Sequence, residues 1–145
     1  MIVGIHQSQY LPWPPYFRKI AKSDIFVILD DVQFQKNGMQ NRNKIRNRDS
    51  DFWLTVPVTG GIDCSIKEKK IADKKWRKKH FQSIQQSYSK SEFWKHYKDH
   101  IEEIYNKESK YINQINTELI YFFTNSLNID TKIIFSSAIN ARGTK

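Results

Sequence analysis

The sequence predicts an α/β fold with a mostly parallel, Rossmann-like sheet and flanking helices. Three short apolar runs have the length of strands: Met1–Ile5, Ile25–Leu29 and Lys132–Phe135. The second is apolar at every position, which is typical of a parallel strand that is covered on both faces. Apolar residues at helical spacing lie between the runs, and strands that alternate with helices build a mostly parallel sheet.

Length and composition indicate a single soluble domain. A chain of 145 residues suits one domain over residues 1–145. No apolar run approaches about 18 residues, so no membrane span is expected. The N-terminus lacks a signal-peptide pattern, and the single cysteine, Cys64, excludes an internal disulfide. We therefore expect a cytoplasmic protein.

The net charge favours anionic partners. Lys and Arg number 24 against 15 Asp and Glu, giving +9. Nucleotide phosphates, nucleic acid and anionic membrane surfaces all fit this balance, and composition does not choose among them.

The first half of the chain predicts three further elements after the first strand. A helix is expected from Pro15 to Ala21, with a proline in its first turn. The polar, basic segment Gln35–Arg48 is expected to be a loop. Phe52–Val58 is expected to be another strand, and Asp63–Lys69 a short edge strand.

The second half predicts three helices and a final strand. Asp73 is expected to cap Lys74–Tyr88, Ser91 the second helix and Ser109 the third, the last two being alternatively one broken helix. The inward stripes are Trp76, His80, Ile84 and Tyr88; Phe93, Tyr97, Ile101 and Ile104 or Tyr105; and Ile112, Ile115, Leu119, Phe122 and Leu127. Residues 136–145 are expected to form a loop that contains Arg142-Gly143-Thr144-Lys145.

The strongest candidate site is the loop after the first strand, because ligands of open α/β sheets bind beyond the strand carboxyl ends. There His6 is a candidate phosphate donor or catalytic acid–base, with a structural hydrogen bond to a loop carbonyl as the alternative. Gln7 and Gln9 are expected to form hydrogen bonds with hydroxyls or amides of a sugar or base. Tyr10 and Trp13 are expected to stack on a sugar or base, or else to pack in the core.

Two carboxylates follow the second strand directly. Asp30 and Asp31 are candidates for a catalytic base or for binding ribose hydroxyls, and one of them alternatively caps a turn. With no third carboxylate nearby in sequence, a metal is not predicted. Gln33 completes the candidate binding residues of this segment.

Gln40-Asn41-Arg42-Asn43-Lys44 is the second strongest segment. The guanidinium of Arg42 offers a fork for phosphate, and the flanking amides both donate and accept hydrogen bonds. A solvated basic loop is the alternative. His80 shares a helix face with Trp76 and Ile84, so it is either a packed histidine or a substrate contact.

These residues together resemble the WbqC-like protein family. The resemblance covers essentially the whole chain, is densest over residues 1–58, and rests on His6-Gln7, Tyr10-Leu11-Pro12-Trp13, Tyr16-Phe17, Asp30, Val32-Gln33-Phe34, Gln40-Asn41-Arg42-Asn43, Leu54-Thr55-Val56-Pro57-Val58 and the Trp76–Tyr88 helix. Ser8, Pro14-Pro15 and Met39 depart from the usual pattern. Members are generally longer than this chain. The resemblance implies an association with bacterial O-antigen, or lipopolysaccharide, gene clusters and a transferase role on sugars.

A weaker resemblance links the first half of the chain to pantothenate synthetases and related nucleotidylyltransferases. Their H-x-G-H motif would need Gly-His where this chain has Ser8-Gln9. The analogy therefore implies a fold but not adenylyl transfer.

Three functions remain open on the sequence. The first is a transferase that takes a nucleotide-activated sugar or acyl donor, an anionic, phosphate-bearing small molecule bound as a substrate, with no cofactor predicted with certainty. The second is a basic nucleic-acid-binding module, although no nucleic-acid motif is recognisable. The third is a non-catalytic assembly partner in the same pathway. Oligomeric state is left open.

Overall fold

The computed structural model describes residues 1–139. The elements in chain order are β1 (Val3–Gln7), α1 (Pro14–Ala21), β2 (Ile25–Leu29), β3 (Arg42–Arg46), β4 (Asp51–Thr55), α2 (Lys75–Tyr88), α3 (Trp94–Asn106), α4 (Ile112–Ser126), β5 (Lys132–Phe135) and α5 (Ser136–Ile139), with a 3₁₀ turn at Ile66–Glu68.

A three-stranded parallel sheet organises the fold. Its order is β1-β2-β5, with His6 opposite Ile28 and Ile28 opposite Phe135. The predicted α/β class, with a parallel sheet and flanking helices, is confirmed at this level. Because all three strands run the same way, their carboxyl ends meet at one edge of the sheet.

Helices α1 and α4 cover one face of this sheet. Phe26 and Ile28 of β2 pack with Tyr16 and Ile20 of α1 and with Ile120 of α4. Gly4 permits the close approach, since a Cβ there would lie 2.2 Å from Ser23 Oγ and 2.8 Å from the Phe26 ring. A side chain at position 4 would therefore push the end of α1 off the sheet.

Strands β3 and β4 form a separate antiparallel hairpin, which corrects two predictions. Residues 42–46 lie in the predicted Gln35–Arg48 loop but form a strand, and the predicted Phe52–Val58 strand ends at Thr55 and pairs outside the parallel sheet. The physical reason is the short connection between the strands. Asn47 N donates to Ser50 O at 2.9 Å in a tight turn, whereas a parallel crossover needs about a dozen residues.

The hairpin and α2–α4 enclose a second apolar cluster. Leu54 and Val56 pack there with Trp76, Ile104 and Leu119, among others. Asp73 lies at the predicted start of α2, where its carboxylate accepts a hydrogen bond from Lys75 N at 2.8 Å. The three predicted helices are present as three separate helices, with His80 and Ile84 buried on α2.

Five local predictions are wrong. The predicted 63–69 edge strand is a 3₁₀ turn at Ile66–Glu68, because the Glu68 carboxylate accepts hydrogen bonds from Ser65 N and Oγ. Helix α4 begins at Ile112 instead of after Ser109, since the Gln114 amide oxygen caps Lys110 N and Tyr111 N. Leu127, beyond that helix, is 56% exposed, and Phe93, before α3, is 59% exposed. Residues 136–139 are helical rather than a loop, and the predicted Arg142–Lys145 segment lies outside the described residues.

Candidate functional site

The carboxyl ends of the parallel strands bring three polar pairs to one edge of the sheet: His6-Gln7, Asp30-Asp31 and Ser136-Ser137. Asp30 lies two residues beyond Ile28, which is the β2 partner of His6. With about 3.3 Å per residue and about 4.8 Å between strands, the Cα atoms of His6 and Asp30 lie about 8 Å apart. His6, opposite Ile28, faces the side of the sheet that α1 covers, with its ring against Tyr16.

The carboxylate of Asp30 is held by the start of α5. Asp30 is 4% exposed and accepts hydrogen bonds from Ser137 Oγ at 2.7 Å, Ser137 N at 3.1 Å and Ser136 Oγ at 3.2 Å. The Ser136 hydroxyl also lies against Asp31, whose side chain is exposed. Asp30 therefore orders the junction between β2, β5 and α5, and the Asp31 carboxylate is the more accessible one.

His6 presents an imidazole suited to accepting a proton. Its ring is half-buried and lies edge-on to Tyr16, 5.0 Å between centroids, and Nδ1 lies 3.1 Å from the Gln7 carbonyl. Burial lowers the pKa of His6, the nearby Lys19 charge lowers it further, and the bond to the carbonyl opposes both. The ring is therefore neutral near pH 7. The carbonyl contact fixes the proton on Nδ1 and leaves the Nε2 lone pair available.

A network of buried amides holds the loop after β1. Gln40 Nε2 donates to Gln7 Oε1 at 2.9 Å, and Gln40 Oε1 accepts from Gln35 N at 2.7 Å. Asn116 Nδ2 donates to the Gln40 carbonyl at 2.9 Å and to Ser8 Oγ at 3.1 Å. Gln40 belongs to the predicted Gln40–Lys44 segment, whereas Ser8 and Asn116 were not predicted as site residues. The sequence signal that could have revealed this network is an asparagine beside the apolar stripe of α4.

The Asn41–Lys44 segment is bonded mainly within the protein. Asn41 Nδ2 donates to the Val56 carbonyl and Asn43 Nδ2 to the Leu11 carbonyl, at 2.9 and 2.6 Å. The Arg42 guanidinium lies 4.4 Å above the Trp53 ring and donates to the Asn37 carbonyl at 2.7 Å. The amides thus hold the hairpin against neighbouring loops. Only part of the Arg42 guanidinium remains available to bind an anion.

Tyr10 and His80 lie in the core rather than at the sheet edge. Tyr10 OH lies 2.8 Å from His80 Nδ1 and 2.6 Å from Tyr105 OH, and all three side chains are buried. Burial lowers the pKa of His80 to about 4, and a hydrogen bond to the backbone of Thr55 opposes that shift. Burial also raises the pKa of both tyrosines. These neutral groups stabilise the core.

Three of the remaining predicted binding residues are scattered. Trp13, 61% exposed, and Lys44 line an apolar groove of about 510 Å³ between the loop after β1, the hairpin and helices α2–α4. Gln33 donates to the Ile62 carbonyl at 3.3 Å. The structure thus places Trp13, Lys44 and Gln33 in surroundings different from those of His6.

The side-chain oxygen of Gln9 is buried without a hydrogen-bond partner.

In the described part of the chain, no three metal-ligating side chains come together. The sheet edge can therefore supply a neutral imidazole and an accessible carboxylate, which are the groups that acid–base chemistry or polar ligand binding requires.

Comparisons with known proteins give a family and one relative. The sequence profile of the WbqC-like protein family matches residues 7–145. The uncharacterized protein Rv1507c of Mycobacterium tuberculosis (strain ATCC 25618 / H37Rv) is 34% identical over 134 residues, which are 90% of this chain and 58% of that protein. The chain thus spans little more than half the length of this relative. No solved structure matches the chain. Across residues 1–139, no helix combines the length and apolar character that crossing a bilayer requires.

Proposed function

The chain belongs to the WbqC-like protein family, and we propose that it is a transferase that uses a nucleotide-activated sugar or acyl donor in the assembly of bacterial surface polysaccharide. The observation that carries the proposal is the neutral, half-buried imidazole of His6 at the carboxyl end of β1. A base at this position suits the activation of an acceptor hydroxyl or amine.

The strand order supports a Rossmann-like arrangement. Three parallel strands in the order β1-β2-β5, with α1 and α4 on one face, correspond to half of a doubly wound sheet. In such sheets phosphates and sugars lie beyond the carboxyl ends of the strands. The chain carries a net charge of +9, which favours an anionic ligand. A phosphate-bearing donor would find both electrostatic attraction and hydrogen-bond partners there.

The proposed step moves one proton from the acceptor to His6 and one electron pair to the leaving group. His6 Nε2 takes the proton of the acceptor hydroxyl or amine as its oxygen or nitrogen bonds to the anomeric or acyl carbon of the donor. The bond from that carbon to the leaving group breaks, and the leaving nucleotide or carrier takes the electron pair. Gln7, whose amide oxygen is fixed by Gln40, is placed to orient the acceptor. His6 then returns its proton to the leaving group or to water.

The test is a transfer and donor-hydrolysis assay with nucleotide sugars and acyl donors, run beside thermal-shift measurements with the same compounds and an oligonucleotide. A true ligand of the native state raises Tm by mass action. His6→Gln is expected to lower turnover about 10²–10⁴-fold. The matched control is His96→Gln, which changes an exposed histidine on α3 and leaves turnover unchanged.

Contrary results have distinct meanings. Full activity in His6→Gln would remove His6 from the chemistry. A Tm shift with the oligonucleotide alone would favour the nucleic-acid-binding function. Inactivity of the wild type with every donor would favour the non-catalytic partner.

A further inference from the structure

The apolar groove of about 510 Å³ between the loop after β1, the hairpin and helices α2–α4 is separate from the carboxyl ends of the parallel strands. We call it the aromatic groove, because Trp13 and Phe93 are among the residues that line it. Buried side chains of the core form its floor, including Ile45, Ile84 and Leu119. Small-molecule sites in proteins have volumes of about 300–1,000 Å³, so the aromatic groove has the size of a ligand pocket.

The rim of the aromatic groove exposes large apolar side chains. Trp13 is 61% exposed, Phe93 59% and Leu127 56%. They belong to three separate segments, namely the loop after β1, the residue before α3 and the residue after α4. Tyr88 and Tyr97, each 37% exposed, also line the groove. Exposed apolar side chains that converge on one concave surface mark a ligand groove or an interaction site.

The polar side chains that line the aromatic groove are already bonded within the protein. Asn43, Ser91 and Ser126 each donate a hydrogen bond to a backbone carbonyl, at 2.6, 2.8 and 2.7 Å. The Tyr105 hydroxyl is bonded to that of Tyr10 in the core. A sugar or a nucleobase carries many polar groups, and burying them without hydrogen-bond partners is costly. The lining therefore favours an apolar chain over a sugar or a base.

The charge beside the aromatic groove is positive. Among the described residues that line it, Lys44 is the only charged one. Arg46 lies two residues further along β3, on the same face as Lys44, and its backbone N–H donates to Tyr88 OH at 3.4 Å. Within residues 1–139, neither Lys44 nor Arg46 takes part in an ion pair. Cations beside an apolar groove complement a ligand with an apolar chain and one negative group.

We propose that the aromatic groove binds the hydrocarbon chain of a small anionic amphiphile, whose carboxylate or phosphate pairs with Lys44. The chain lies over Ile45 and Ile84 and contacts Trp13 and Leu127 at the rim. Removal of both apolar surfaces from water drives the binding. The proposal does not rest on the transferase chemistry, because binding is measured without turnover.

The test is titration calorimetry of the 145-residue protein with dodecyl phosphate and with dodecanoate, both kept below micelle-forming concentrations. We expect one-to-one binding, with an affinity that falls about fourfold for each methylene removed from the chain. Dodecyltrimethylammonium should bind at least about tenfold more weakly, since its charge is repelled by Lys44. Tighter binding of either anion supports the proposal and identifies the preferred head group.

Leu127→Glu tests the apolar contact. It should weaken the binding of dodecyl phosphate at least about tenfold, because it places a charge against the chain. Leu127 is exposed, so the variant is expected to fold, and a melting curve checks this. Ile62→Glu is the matched control, since Ile62 is 46% exposed and lies outside the groove. It should bind like the wild type.

Lys44→Gln tests the charge. It should weaken the binding of both anions but not that of dodecyltrimethylammonium, whereas Lys78→Gln, at an exposed position on α2 outside the groove, should change neither. Four outcomes would overturn the proposal. They are the absence of saturable binding of either anion, binding that Leu127→Glu leaves unchanged, equal affinities for the anions and the cation, and binding to phosphatidylglycerol vesicles without binding of the monomeric anions. The last would make the groove a membrane contact.

Discussion

The hydroxyl of Tyr10 lies 2.8 Å from Nδ1 of His80, joining the loop after β1 to α2 through the core. His80 also bonds the backbone of Thr55, a contact to a carbonyl that requires its second ring nitrogen to donate. Nδ1 must then accept the Tyr10 proton, and the Tyr10 oxygen accepts from Tyr105 OH at 2.6 Å. The chain of bonds is satisfied only while the imidazole is neutral.

Acid should therefore destabilise the fold through His80. Its pKa is about 4 in the native state and about 6.5 when unfolded, so the unfolded chain binds a proton first as pH falls. The free energy of unfolding contributed by this group is fully present above pH 6.5 and declines between about pH 6.5 and 4, by about 3 kcal/mol in total.

The measurement is urea unfolding at several pH values, for the wild type and for His80→Gln. The variant cannot titrate, so its stability should be lower near neutral pH and flatter across this window. Equal slopes in the two proteins would contradict the assignment of the acid sensitivity to His80.

The buried amide of Asn116 should be important for stability. Its Nδ2 bridges Ser8 and Gln40, and removing it leaves the Gln40 carbonyl without that donor in a dry site. We expect Asn116→Ala to cost about 1–3 kcal/mol in unfolding free energy. Asn125→Ala, an exposed position on the same helix, is the control and should stay within about 0.5 kcal/mol. Similar losses in both variants would argue against the bridge.

Replacing Asp30 should lower the stability of the fold more than replacing its neighbour Asp31. Asp30 accepts three hydrogen bonds from the start of α5 and is buried, whereas Asp31 is exposed. Hydrogen bonds to a charged group contribute about 1.5–3 kcal/mol, so Asp30→Ala should lower stability by at least that amount. Asp31→Ala removes one contact with the Ser136 hydroxyl at an exposed carboxylate and should cost less, about 1 kcal/mol. Chemical denaturation of the two variants decides, and a larger loss in Asp31→Ala would reverse the roles.

The parallel sheet could be predicted because its strands are continuous apolar runs, for which few other secondary structures are plausible. It mispredicted the hairpin because Arg42–Arg46 is polar at four of five positions, and only Ile45 is buried against the core. The pairing of β3 with β4 depends on a tight turn and on the Arg42–Trp53 contact, which no local pattern encodes. The start of α4 was missed because a glutamine side chain, rather than that of a serine, satisfies its free amides.

Only part of the candidate site could be predicted from the sequence, because the rest depends on contacts that no local pattern encodes. His6 and Asp30 were placed from strand ends, a rule that follows from sheet geometry. Two features could not be predicted in this way, because they depend on contacts between residues far apart in sequence. They are the burial of Lys69 and the hydrogen bonds of Asn116. Lys69 is 2% exposed, and its ammonium donates hydrogen bonds to the carbonyls of Gly60 and Gly61. This charged residue therefore has a structural role, although its residue type alone would predict a position on the surface.

Finally, His6 and His80 should respond in opposite ways to truncation. His6 lies half-buried at a strand end and packs edge-on against Tyr16, so His6→Ala should lower Tm slightly and turnover about 10²–10⁴-fold if the proposed base is correct. His80→Ala opens the buried bond to Tyr10 and should lower Tm strongly, while turnover per folded molecule changes little. Melting curves beside the transfer assay measure both quantities on the same samples. A His6→Ala protein with full activity and a large loss of Tm would make His6 structural, and a His80→Ala protein that melts like the wild type but loses turnover would move the chemistry to the core.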